Sequence, residues 1–398
     1  MINAERNELR KRFKKDCSIS RLALCYVNSE KEKVVVQHEA FLQLPEEDMF
    51  KYLDIAKKSL GGTVGDNLIE IPYTSKQEAG AEYQLLMTLR DTRLEDEEAT
   101  GRLFDAIIEN YVHEGNFLIT ALYDNYDVPR KGTDKLYDDE SEEVYTYILV
   151  SICPVSQTKG GLGYLEDPGK MGSRFKDWVA GAPETAFLFP SFSDRGTDLH
   201  AVCYYTKNAG EPRPEITENV LGADLKPTPT QQRESFAEVF VSECGADNAE
   251  TKLVDVHETI LNMLESMDAE EPGSSERLVL DKDVLAEAVS EVIKDEDEAK
   301  KLIDACTEAL DGEEPLATLF VDRKAVKATA PQRREAELMG EIVELKQELA
   351  KGGAPVPDNG NDDKAEELAE KIKKTCGLDK KPGVVKQGGR RYIMVPAD

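Results

Sequence analysis

The chain is poor in the residues on which recognisable chemistry is built. It has four histidines in 398 residues, His38, His113, His200 and His257, and none begins an HExxH pair, so a zincin-type metal centre is excluded by motif. Its seven cysteines include no Cys-x-x-Cys spacing, which removes support for a thiolate zinc site or a thioredoxin-like centre. Their odd number, and the placing of Cys25, Cys153 and Cys203 in apolar runs, fit the reduced, buried thiols of a cytoplasmic protein rather than a disulfide framework. Cys153 stands at the end of an apolar run, a setting in which a thiol is buried and inert rather than nucleophilic. There is no G-x-S-x-G elbow. No apolar run reaches the roughly 18 residues a membrane-spanning helix needs. The basic opening, MINAERNELRKRFKKD, leads into no apolar core of a secretory signal. No motif asks for a cofactor, and none forms a metal-ligand set.

Positive charge is scarce as well. Fifty Lys and Arg stand against 79 Asp and Glu, a formal net of −29. Phosphate contacts supply most non-specific affinity for nucleic acid and need a basic surface, so this balance argues against DNA or RNA as a partner. It argues equally against an anionic membrane surface. The ordinary reading of such a charge is solubility. The run Gly61-Gly62-Thr63-Val64-Gly65 has no phosphate-loop lysine, and it follows a helical pattern rather than a strand, so it reads as a helix end.

What the chain does have is pattern. Residues 2–15 read as a short charged helix, and Arg21–Asn28 with Val34–His38 as a hairpin. A helix follows from Pro45 to about Leu60, with Met49, Phe50, Leu53, Ala56 and Leu60 on one face. Residues 67–73 read as a strand, and 77–91 and 95–112 as two helices. Phe117–Tyr123 is a buried strand, with a polar loop expected at Asp124–Lys135. Val144–Val155, VYTYILVSICPV, is the most strand-like run, and its unbroken apolar centre implies a central position with both faces covered. Lys159–Gly172 reads as a glycine-rich loop, Phe175–Val179 as a helical turn, and Pro212 and Pro214 as marks of a further loop. Thr185–Asn208 reads as a hairpin with a long connector. Thr228-Pro229-Thr230-Gln231 has the form of a capping box that opens a helix to about Cys244. The predicted fold class is α+β: a mainly antiparallel sheet with flanking helices over 1–245, then a small acidic helical subdomain over 250–330 and a short coiled-coil-like arm.

The acidic part holds 20 Asp and Glu against 6 Lys and Arg over residues 252–315, with a strand expected at Leu316–Val321. In the arm, 335–350, Leu338, Ile342, Leu345 and Leu349 form a seam of about two heptads, too short to stand alone, which points to packing on the body or self-association. Residues 351–363 read as a flexible linker, and 364–398 as a helix to Cys376 plus a C-terminal hairpin turning at Gly388-Gly389. From 364 onward the tail has 9 Lys and Arg against 5 Asp and Glu, a basic end able to meet the acidic helices or, less in keeping with the overall charge, nucleic acid in a nucleoid.

Five stretches carry a resemblance: SICPV (Ser151–Val155), the FLFP-F-DR-TD-H run from Phe187 to His200, YYTKN (Tyr204–Asn208), EAFLQLPEEDMFKYL (Glu39–Leu53) and the closing YIMVPAD. Together, and agreeing in their order along the chain, they make it similar to an uncharacterised bacterial family, domain of unknown function 4317. The resemblance covers about residues 1–330 and the last dozen. It sets 335–380 apart as an insertion and leads us to expect a short extension beyond Asp398. It implies a cytoplasmic bacterial protein and carries no activity.

The densest group of reactive side chains is the 191–200 connector: Ser191, Ser193, Asp194, Arg195, Asp198 and His200. Asp194, Asp198 and His200 are the candidate catalytic set, for a metal-assisted hydrolase or a phosphate-handling enzyme. Ser191, Ser193 and Arg195 are candidate binding residues, and Asp124 and Asp127 the best remote carboxylates to complete the set. The plainer reading makes Asp and Ser turn caps, pairs Arg195 with Asp194 or Asp198 and gives His200 a local hydrogen bond. With no complete catalytic template, the favoured function is a non-enzymatic interaction or scaffold protein, with a protein partner or self-association through 335–350.

Overall fold

A computed structural model describes residues 1–331, apart from 132–136, 166–168, 175, 245–247, 272 and 311, together with two tail strands. The chain opens with helix α1 (Asn3–Arg12) and the hairpin β1 (Arg21–Val27) and β2 (Lys33–Ala40). Helix α2 (Glu46–Ser59) and strand β3 (Leu68–Pro72) follow, then α3 (Ser75–Glu78), α4 (Ala81–Asp91) and α5 (Glu97–Asn110). Two long strands come next, β4 (Asn116–Lys131) and β5 (Tyr137–Gln157), then the short strands β6 (Gly161–Leu165), β7 (Lys170–Arg174) and β8 (Trp178–Ala180). Strands β9 (Thr185–Phe189), β10 (Ser191–Ser193), β11 (Gly196–Asp198) and β12 (Ala201–Thr206) complete the β part. Helices α6 (Pro214–Asn219), α7 (Pro229–Glu243), α8 (Ala249–Glu270), α9 (Lys282–Val292), α10 (Glu296–Ala309) and α11 (Ala317–Phe320) make up the rest, with a last helical run at 323–331.

The main sheet runs β2-β1-β4-β5-β9-β12-β3, with β8 on the end of β5, and every pairing in it is antiparallel. Strand β5 lies at its centre, as its apolar run requires. Alternate residues go to opposite layers. Ile148, Val150 and Ile152 pack with Leu86, Leu103, Phe104 and Ile107 under α4 and α5. Tyr145, Tyr147 and Leu149 pack on the other face with Leu9, Phe13, Leu53 and Ala56 under α1 and α2. The edge strand β2 exposes Val34, Val35 and Val36, but a register break at the Val27–Lys33 pair bulges it, a device that discourages edge-to-edge association.

Helices α7 to α11 close a separate core around Phe236, Phe240, Ile260, Leu285, Leu302 and Phe320. The capping box at Thr228 is formed, with Gln231 N donating to the Thr228 hydroxyl. The same helix start is held to the sheet by Asp66, whose carboxylate accepts from Thr230 N at 3.1 Å and Thr230 Oγ1 at 2.8 Å. A carboxylate at a helix N-terminus also meets the positive end of its dipole.

Five expectations need correction. The predicted polar loop from Asp124 is strand: β4 runs to Lys131, with Tyr126 and Val128 buried and Asp127 outward. The glycine-rich 159–172 stretch forms most of the β6–β7 hairpin, in which Gly161–Leu165 pair residue for residue with Lys170–Arg174. The helical turn expected at Phe175–Val179 is not seen in its described part, because Trp178–Ala180 pairs with β5. The loop marked by Pro212 and Pro214 contains α6, with Pro214 at its first position, where a missing N–H is harmless. Leu316–Val321 is a single helical turn entered through a bridge between Leu316 and Val279, so its apolar run was a buried helix segment. The tail hairpin is present as antiparallel strands β13 (Gly383–Gln387) and β14 (Arg390–Met394). The arm at 335–350, the linker at 351–363 and the helix expected at 364–376 lie outside the described residues.

Candidate functional site

The Thr185–Asn208 stretch is a hairpin, β9 paired with β12, and its connector is a second, smaller hairpin. Ser193 and Gly196 close a two-residue turn in which Asp194 and Arg195 have φ of 51° and 57°. Such mirror-image turns match the twist of the strands but put side chains in a left-handed conformation that favours glycine. Arg195 is held there by long-range partners. Its backbone N–H donates to Glu5 at 3.2 Å, its Nε and Nη2 to Glu8 at 3.1 and 2.9 Å, and Nη2 also to the Pro129 carbonyl at 2.9 Å. Arg195 thus ties the turn to α1 and β4.

The other candidates go elsewhere. Ser193 donates to Glu70 at 2.6 Å and accepts from the Met1 amine, which also pairs with Glu70. Ser191 is buried, 3.5 Å from Ser193 by their hydroxyl oxygens. Asp194 is exposed at the turn. Asp198 caps the next turn by accepting from His200 N at 2.9 Å. The His200 ring is 77% exposed and meets Glu78 at 2.6 Å, a hydrogen bond that, with the charge of Glu78, raises the imidazole above its ordinary value. Asp194, Asp198 and His200 are therefore not brought together around a common point. Among the described residues no group of three His, Cys, Asp or Glu side chains is placed to hold a metal ion.

Asp124 and Asp127 do not join that loop. Asp127 is exposed. Asp124 is 1% exposed and accepts from Ser18 at 2.6 Å, Tyr147 at 2.7 Å and Arg12 Nη2 at 3.2 Å. Burial, then Asp124 itself, raises Tyr147 well above the ordinary tyrosine range, so its hydroxyl stays a donor. Cys153 is buried, and burial pushes its thiol up to about 12, which keeps it protonated and poorly nucleophilic.

Two surface features were not singled out by the sequence. The first lies where the β5–β8 ladder, continued by a bond from Thr158 N to the Asp177 carbonyl, leads into the β6–β7 ribbon. Leu162, Tyr164, Met171, Trp178 and Val179 are each at least half exposed there. Leu162, Tyr164 and Met171 share one face, since Tyr164 pairs with Met171 and Leu162 stands two residues away. That alternation within glycines was the available signal. The second is a cleft of about 650 Å³ beside the end of α1, lined by Glu8, Lys11, Arg12, Lys14, Asp16 and Tyr126 among others. The Arg12 guanidinium lies 3.8 Å over the Tyr126 ring, and the Tyr126 hydroxyl donates to Glu8 at 2.6 Å. Its signal was the basic opening, where six of residues 6–15 are Lys or Arg.

Among the described residues no helix is long and apolar enough to cross a membrane. A comparison with curated proteins gave no match. A comparison with protein families gave one over residues 1–396, which takes in the 335–380 segment that the motifs had set apart. The chain belongs to the family described as Domain of unknown function (DUF4317).

Proposed function

We propose that the protein is a non-enzymatic, cytoplasmic interaction module whose sheet body presents the β6–β8 ribbon to a protein partner, with the 335–350 arm as a second contact for a partner or for another copy. The observation that carries this reading is the ribbon: five large apolar side chains between residues 162 and 179 are half exposed or more. Scattered exposed apolar residues are ordinary, but a cluster on a projecting ribbon is characteristic of a contact surface. What weighs against a hydrolase at the 191–200 loop is the separate use of its residues. Arg195 and Ser193 are spent on Glu8 and Glu70, and His200 on Glu78.

The test uses the full chain as bait in its native lysate, beside Leu162→Asp and Met171→Asp variants whose circular dichroism matches wild type. The expected result is one protein recovered in stoichiometric amount by the wild type and lost with both variants. Sedimentation of the full chain against one cut before Glu335 reads the arm. Monomers in both, with no variant-sensitive partner, would overturn the proposal.

A further inference from the structure

We propose that the cleft at the end of α1 is an anion site that takes the phosphate group of a small molecule. This stands apart from the ribbon and does not depend on it.

The charges around the cleft are unequally used. Glu8 is satisfied by Arg195 and by the Tyr126 hydroxyl. Lys15, one residue beyond Lys14, pairs with Glu46 at 2.9 Å and also feels Asp16. Lys11 and Lys14 both line the cleft, and among the described residues neither meets a carboxylate. Arg12, between them in sequence, is held in place. Its ring contact is with Tyr126, and its Nη2 points to Ser18, Asp124 and the Asn125 carbonyl. Its Nε is enclosed and finds no acceptor. A guanidinium already immobilised by stacking loses little further freedom when it meets a ligand.

Cations in the last turn of a helix complement its dipole, and that accounts for Arg10, Lys11 and Arg12. It does not account for Lys14, which lies past the helix end, or for the concavity it shares with Lys11. The lining also holds two carboxylates, Glu8, already taken by Arg195 and Tyr126, and Asp16, so the three cations outnumber the anions; such a space suits a group with several charged oxygens, and phosphate offers three or more at about −1.5 to −2. A volume of about 650 Å³ has room for a phosphate and a modest organic body. A polymeric nucleic acid or an anionic bilayer would instead face the whole net charge of −29.

The experiment is calorimetric titration of the full chain at fixed ionic strength with inorganic phosphate, pyrophosphate and citrate, with sodium chloride as the control. Saturable binding of phosphate or pyrophosphate is expected, with citrate weaker. The Lys11→Gln/Lys14→Gln double variant, which leaves Arg12, Glu8 and Asp124 in place, is expected to weaken it by about tenfold or more through the loss of two charge-assisted contacts. Unfolding curves confirm that the variant is intact. No saturable heat beyond the chloride control, or equal affinity in wild type and variant, overturns the proposal. Citrate binding as tight as pyrophosphate overturns the phosphate assignment.

Discussion

Removing the carboxylate of Asp124 is the sharpest test of how the N-terminal helix is attached. Three donors converge on it: the Ser18 hydroxyl, the Tyr147 hydroxyl and Arg12 Nη2. Asp124→Ala leaves all three without that acceptor. Ser18 keeps the Asn125 carbonyl at 2.8 Å, so its loss is small. Tyr147 is 1% exposed, and an unsatisfied buried hydroxyl costs about 1–3 kcal/mol. Breaking a buried ion pair from one side costs about 3–5 kcal/mol when the remaining charge is sealed in. Arg12 is 21% exposed and can turn toward water, which puts its share nearer 2 kcal/mol by the lower range for hydrogen bonds to charged groups, about 1.5–3 kcal/mol. Together these give about 3–5 kcal/mol for Asp124→Ala. Asp124→Asn keeps an oxygen for one donor and is expected to cost about 1–3 kcal/mol, and Tyr147→Phe about 1 kcal/mol. Urea unfolding followed by circular dichroism measures each, and the double variant Asp124→Asn/Tyr147→Phe gives their coupling. Asp124→Ala within about 1 kcal/mol of wild type would refute the account, because a buried carboxylate that satisfies a buried tyrosine hydroxyl and a half-buried guanidinium cannot be silent if those bonds are formed.

Two further perturbations probe the helical region. Burial depresses His257 to about 4 from an ordinary 6.5, so below pH 6.5 the unfolded chain takes up a proton that the folded one refuses. Stability therefore falls as the pH drops from 6.5 to about 4 and levels off below that, by roughly 3 kcal/mol in all. His257→Leu is expected to remove that component when the two unfolding profiles are subtracted. Thr228→Ala removes the capping box of α7 and is expected to lower stability by about 1 kcal/mol in urea unfolding, with Thr228→Ser recovering most of it.

Much of the sheet was legible because burial imposes period two. The unbroken VYTYILVSICPV run announced a central strand, and β5 is one. The Thr228 cap was legible because its chemistry is local, with all four residues adjacent. Where the sequence misled, polarity masked the pattern. In β4, Tyr126 and Val128 alternate with Asn125 and Asp127, but an inward Asp124 and the following Pro129 gave the stretch a loop's composition. The buried aspartate is tolerable only because Arg12, Ser18 and Tyr147 reach it, and none of these is nearer than 23 residues. The 191–200 loop was visible as a cluster but not as a set of separate attachments. Glu5, Glu8, Glu70 and Glu78 are ordinary surface residues in the sequence, and they become the partners of Arg195, Ser193 and His200 only once the sheet is closed.

The three-residue strand β8 carries Trp178, the chain's single tryptophan, with 53% of it open to solvent. The one indole of the chain thus sits on the ribbon, and light at the red edge of protein absorption excites it without the tyrosines. The wavelength of its emission, and how readily iodide quenches it, follow what settles on that corner without attaching a label or altering a residue.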